Sequence, residues 1–219
     1  VVLDSNGAWE SVLENAYDII ATGEVNGADT LDFKIPFNDG KRVSLDNEKQ
    51  VQIADEIYRV RTLTDEKASD GSILTSVYAE AAFYDLTYSA EKQPTEFNAA
   101  RADEAMRYAL QGTGWSIGTV NVSTLRTWTC EEKNALAILR QVQNIHGGDL
   151  VFDSRNRLVS LLTFSGKDSG ALFAYKKNLT SIKRVVDTRS LVTRLYAYGK
   201  DGITFASING GKEYVEDYT

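Results

Sequence analysis

At 219 residues, with 42% hydrophobic and 25% charged side chains, the chain has the composition of an ordinary folded protein and is long enough for two compact modules. A net charge of −7 works against nucleic-acid binding, which depends on Lys and Arg neutralising phosphates and releasing their counterions. A single Cys excludes an internal disulfide and any zinc site built from several thiolates, and no apolar run approaches the ~18 residues that a membrane span needs.

The opening Val1-Val2-Leu3-Asp4 has neither an initiator Met nor a basic, apolar signal region, so a trimmed or partial chain is expected, with no secretion through a signal peptide. Residues 1–88 read as all-β. Short runs rich in Val, Ile, Tyr, Thr and Phe predict strands at 17–22, 30–36, 42–45, 50–53, 57–63 and 74–88. Asn26-Gly27, Asn38-Asp39-Gly40 and Asp70-Gly71 supply the turns between them. Such regular spacing predicts a small barrel or sandwich.

Pro94 breaks this pattern and helical spacing follows. Ala102, Ala105, Met106, Ala109 and Leu110 predict a short amphipathic helix, with Asn98 as its N-cap and Gly112 as its stop. A second helix is expected from the stripe Ala135, Ile138, Leu139 and Val142, started by a Thr129/Glu132 capping box and ended by Gly147-Gly148. A strand over 115–122 and a hairpin of 150–153 with 157–163, turned at Ser154 to Asn156, complete an α+β region. From Leu191 the β pattern returns at 191–198 and 203–208, with turns at 199–202 and Asn209-Gly210-Gly211. Two or three strands cannot form an independent core, so this last stretch reads as the start of something larger.

Charge divides along the same lines. Residues 1–88 carry 17 acidic and 7 basic side chains, residues 89–188 carry 10 and 13, and residues 189–219 carry 4 and 4. The expected organisation is therefore a first β-barrel at 1–88, an α+β domain with two amphipathic helices at 89–188, and the beginning of a second barrel at 189–219.

No catalytic, cofactor-binding or metal-binding residue is assigned. The only His, His146, falls in the last turn of the second helix, where a partly positive ring favours the helix C-terminus. Cys130 is expected in the first turn of that helix, roughly 24 Å away at ~1.5 Å per residue, too far for a catalytic pair, and is read as a buried structural thiol. The glycines at 112, 114 and 118 lack dinucleotide spacing and follow a helix; Gly166-Lys167-Asp168-Ser169-Gly170 lacks the P-loop lysine position. Asp65, Glu66 and Asp70 have no EF-hand spacing and read as a solvated hairpin tip. Asn121-Val122-Ser123 and Asn178-Leu179-Thr180 match the glycosylation sequon, which matters only on a eukaryotic secretory route.

One resemblance runs through nearly the whole chain. Residues 23–33, Ile57-Tyr58-Arg59-Val60, Leu110-Gln111-Gly112-Thr113-Gly114-Trp115, residues 147–153, Thr193 to Gly199, Gly210-Gly211 and Tyr214 to Tyr218 are similar, in that order, to segments of the siphophage tail-associated proteins known as prophage endopeptidase tail or minor structural proteins. The resemblance implies a fold shared with the hub of contractile-phage baseplates: mainly β, a barrel followed by an α+β insertion and the start of a second barrel. It also implies a homotrimeric ring around the tail channel, in the virion tail tip, assembled in the bacterial cytoplasm. Its implied partners are the distal tail protein and the tape-measure and tail-fibre components. Any endopeptidase or lysin activity is expected in a C-terminal part outside this sequence, so no enzyme and no cofactor are expected here. Two other functions stay open: a peptidoglycan hydrolase, which needs an acid and base pair that no spacing selects, and a glycan-binding receptor-recognition module.

Overall fold

The computed structural model describes the chain apart from residues 5, 6, 68, 70, 180, 190, 218 and 219 and the side chain at 200. Asp70, Thr180 and Tyr218 therefore lie outside the described residues, and with them part of the turn at 70–71, of the second sequon and of the terminal run. Two compact units emerge, Val1–Lys167 and Asp168–Thr219.

The first unit is mainly β. Its strands in chain order are β1 (Val2–Leu3), β2 (Trp9–Ser11), β3 (Tyr17–Gly23), β4 (Asp29–Pro36), β5 (Gln50–Ile53), β6 (Glu56–Lys67) and β7 (Ile73–Ala81), which form one curled seven-stranded sheet ordered β2-β1-β5-β6-β7-β4-β3. The pleat explains the pairing. In β4 the alternate residues Leu31, Phe33 and Ile35 are buried, and in β7 so are Thr75, Val77, Ala79 and Ala81. Opposite them on β6 stand Tyr58 and Val60, after which the register shifts and the strand's outer half turns to solvent.

The remainder of this unit alternates. β8 (Thr95–Arg101) runs straight into α1 (Ala102–Leu110), followed by β9 (Ser116–Val120), β10 (Leu125–Cys130), α2 (Ala135–His146), β11 (Asp149–Asp153) and β12 (Leu158–Leu162). β8 pairs with β10, while β11, β12 and β9 form a small sheet in which β9 and β12 are parallel. The two helices pack on one another through the predicted stripes: Ala102, Ala105, Met106, Ala109, Ala135, Ile138, Leu139 and Val142 are all fully buried. Side chains of the large sheet and of both helices belong to one connected core, bridged by Phe83, which stacks on Phe152 at 4.1 Å between ring centroids.

Several local expectations are corrected. Arg42–Ser44 is a 3-10 helix rather than a strand, because the Arg42 side chain curls back: Nε donates to Thr75 Oγ1 at 2.9 Å and Nη1 to the Leu45 carbonyl. The run to Tyr88 stops being a strand at Ala81 and continues as a 3-10 helix over Ala82–Tyr88, which turns Phe83 and Leu86 into the core. Neither helix cap is the residue expected. Asn98 lies inside β8, and Thr129 lies in β10 paired with Glu96, so both are held by a ladder that neither sequence pattern announces. α2 is capped instead by Asn134, whose Oδ1 accepts from the Ala137 amide at 2.9 Å, and α1 starts at Arg101 with no side-chain cap. Gly147 ends α2 at φ 82°, as its position predicts.

In the second unit a two-stranded antiparallel pair, β13 (Arg194–Tyr196) and β14 (Tyr214–Glu216), is shorter than the predicted runs. The expected strand at 203–208 is instead a 3-10 helix over Phe205–Ser207, with the Thr204 hydroxyl accepting from the Ala206 amide.

Candidate functional site

The titratable groups singled out in the sequence do not come together. Cys130 ends β10, ahead of α2 and not in its first turn; it is buried, and burial raises its thiol pKa, which keeps it an unreactive thiol. His146 does sit in the last turn of α2, but the ring is 5% exposed and burial lowers its pKa. Nδ1 lies 3.0 Å from Thr124 Oγ1, and burial works against the partly positive ring expected at the helix end. Asp65 is tied to Arg42 and accepts from Thr75 Oγ1 at 2.6 Å, which lowers its pKa. Among the described residues no group of three or more His, Cys, Asp or Glu side chains is placed to hold a metal ion.

A half-buried ion-pair network does form, on the outer face of β6 and β7. Arg59 holds Asp85 through Nε at 2.8 Å and Nη2 at 2.5 Å, and Arg61 reaches Glu48, Glu80 and Asp85 at 2.8, 3.1 and 3.0 Å. Each of its three carboxylates meets at least one of the two guanidiniums, which suits a structural brace on the sheet.

Sequence reading also missed a carboxylate group where the sheet meets the α+β half. Burial raises the pKa of Asp29, which shares a hydrogen bond with the Tyr58 hydroxyl. Burial raises Glu56 as well, with the charges of Asp29, Asp153 and Asp55 acting the same way, and Tyr58 is pushed up to about 12 by burial and by Asp29. These acids come from three separated stretches, at Asp29, Asp55-Glu56 and Asp153, so no local spacing could have announced them.

The two outer strands of the large sheet also have unused bonding capacity. Among the described residues β3 pairs only with β4 and β2 only with β1, leaving a free backbone edge on each. Unlike β4, β3 buries nothing along its length, although it carries Tyr17, Ile19 and Ile20. Ile20 is 60% exposed and Trp9 on β2 is 70% exposed, with Val12 and Val25 also open at the ends of these strands. Asp18 at φ 50° breaks the β3 register, and the pairs Lys34–Asp18 and Lys49–Glu10 at 2.9 and 2.6 Å lie along the two edges. Exposed pairs of this kind add little stability.

Comparison with known proteins gives three consecutive family matches. Residues 1–81 match the prophage endopeptidase tail N-terminal domain, residues 89–161 the prophage endopeptidase tail domain, and residues 167–219 the prophage endopeptidase tail model. No curated protein matches by sequence. Among solved structures, prophage tail protein gp18 from Listeria monocytogenes EGD-e superposes with a TM-score of 0.72 at 15% identity, over 96% of this chain and 69% of that one. A prophage MuSo2 43 kDa tail protein from Shewanella oneidensis gives 0.56 at 13% identity, over 89% of this chain and 63% of that one. A tail protein from Neisseria meningitidis MC58 gives 0.55 at 13% identity, over 82% and 57%. The chain thus spans under two thirds of the last two, and at these identities the likeness is one of fold.

Proposed function

We propose that this chain, which belongs to the prophage endopeptidase tail family and is a prophage tail protein, acts as a structural hub at the tail tip. In this reading three copies form a ring around the tail channel and connect the distal tail protein to tape-measure and fibre components. The observation that carries it is the pair of free, apolar sheet edges. Because β2 and β3 are different strands, contact between one edge and the other is heterologous, and heterologous contacts close into rings when the rotation per copy allows. The acidic excess of residues 1–88 suits a channel through which DNA passes without sticking. Residues 189–219 are read as the start of a second barrel, and wall-degrading activity is assigned to a further part of the whole protein.

Sedimentation of the chain over a concentration series tests the ring. A trimer that is lost in Ile20→Lys, which charges an edge strand, supports the reading. A monomer at all concentrations, or a trimer indifferent to Ile20→Lys, overturns the edge-mediated ring. A second reading, a peptidoglycan hydrolase, needs an acid and base pair, for which the clustered acids Asp29 and Glu56 are the candidates. Soluble product released from purified peptidoglycan and abolished by Asp29→Asn would establish it in place of the hub.

A further inference from the structure

The β3–β4 hairpin does not end in solvent. Its tip, residues 24–28, is closed by the Glu24 amide donating to the Ala28 carbonyl at 2.8 Å and the Gly27 amide donating to the Glu24 carbonyl at 3.1 Å. From this tip Asn26 reaches more than 120 residues along the chain to the corner between α2 and β11. Asn26 Oδ1 accepts from the Leu150 amide at 2.8 Å, and Nδ2 donates to Asp149 Oδ1 at 3.2 Å and to the Gly148 carbonyl at 3.4 Å. Both ends of one amide are in use, as donor and as acceptor, which Ser, Asp or Ala at this position could not reproduce. Asn26 also stands at φ 58°, a backbone region that Asn, Asp and Gly tolerate best.

The receiving corner is itself held in place. Asp149 Oδ2 accepts from both the amide and the hydroxyl of Ser165 at 2.9 Å, which keeps its carboxyl below the usual range and charged. Gln143 Nε2 on α2 donates to the same Gly148 carbonyl at 3.0 Å. Gly148 has φ 92°, and a side chain there would meet the Leu162 carbonyl at 2.5 Å, so the turn that presents these groups is fixed by glycine. Beneath the tip lies a cavity of about 390 Å³ lined by Val25, Phe83, Arg140, Val151 and Phe152 among others. The tip is also bonded from the 3-10 helix after β7, where the Tyr84 hydroxyl donates to the Gly27 carbonyl at 3.4 Å.

We infer that the β3–β4 hairpin is a strap latched by Asn26, and that this side chain makes the free edge of the sheet and the α2–β11 corner move together. β3 buries none of its own side chains, so its position depends on the β4 ladder along one side and, at its tip, on the Asn26 latch and the Tyr84 bond to Gly27. Whatever adds to the β3 edge is then felt at β11, and a disturbance at β11 is felt at the edge. The inference does not depend on the hub reading.

Amide hydrogen exchange on the chain tests it, with two variants. Asn26→Gly removes the side chain without straining a positive φ. Asn26→Asp keeps an acceptor for Leu150 but sets a second carboxylate against Asp149. Both are expected to speed exchange in residues 21–24 and across the β11–β12 ladder together, by roughly tenfold, which corresponds to losing one or two net hydrogen bonds. Protection in β5 to β7 stays as in the native chain. If the rise is confined to Leu150, or appears on one side of the latch only, the coupling is refuted. Should Asn26→Gly also loosen β5 to β7, Asn26→Asp decides alone: joint loosening upholds the strap, and native protection at both sites rejects it.

Discussion

Residues 1–167 and residues 168–219 draw on the same kinds of residue, and only the first stretch buries them. In the first, Ile35, Val60, Met106, Ile138, Leu139 and Leu161 are fully enclosed by side chains from several elements. In the second, Phe173, Tyr175, Ile182, Val192 and Ile208 are all well exposed, and none of the described residues is buried. The strand pairing of β13 with β14 is regular, and Tyr196 lies against Tyr214 at 5.4 Å between ring centroids, yet this two-stranded pair has no second layer of its own unit among the described residues. Local β chemistry thus suffices to form a ladder; a core requires a facing layer as well.

The largest expected effect sets the two stretches directly against each other. Leu139→Ala should lower the stability of the chain by about 2 to 5 kcal/mol in urea denaturation, because it opens a hole in a closed core. Ile208→Ala, at a side chain 84% exposed, should stay within about 0.5 kcal/mol. Equal costs at the two sites would erase the distinction. A smaller effect sharpens the picture inside the packed unit: Asn134→Ala should cost about 1 kcal/mol through loss of the α2 cap, while Thr129→Ala, exposed in β10, should be close to neutral. The reverse order would restore the capping box at Thr129.

The smallest effects concern pH, and here one buried and one half-buried site of the packed unit pull in opposite directions. Burial puts the folded pKa of His146 below its unfolded value of 6.5; the unfolded chain takes the proton first, and stability is lost as pH falls below 6.5. Asp29 has a folded pKa above its unfolded value of 3.8; the folded chain holds the proton longer, and stability is lost as pH rises through that window. Asn in place of Asp29 should therefore flatten the change in unfolding midpoint just above pH 3.8, and Gln in place of His146 should flatten the change just below pH 6.5. An unaltered profile in either variant would remove that group from the balance.

Much of this was legible along the chain. Period-two burial in Thr30 to Pro36 and the stripe of Ala135, Ile138, Leu139 and Val142 need only the geometry of a strand and of a helix, so pattern and structure agree there. The order of β, α+β and returning β segments likewise pointed to the tail family that the comparisons then gave. Tertiary partners decided what local pattern could not. Thr129 and Asn98 look like caps until β8 and β10 pair and take their backbones. Tyr17 to Gly23 has the composition of an ordinary inner strand, and only its place at the end of the sheet order leaves it an open edge. Asn26 read as a turn residue, which it is; that its amide also spans the seam to Asp149 and Leu150 depends on contacts more than 120 residues apart, which no local spacing encodes.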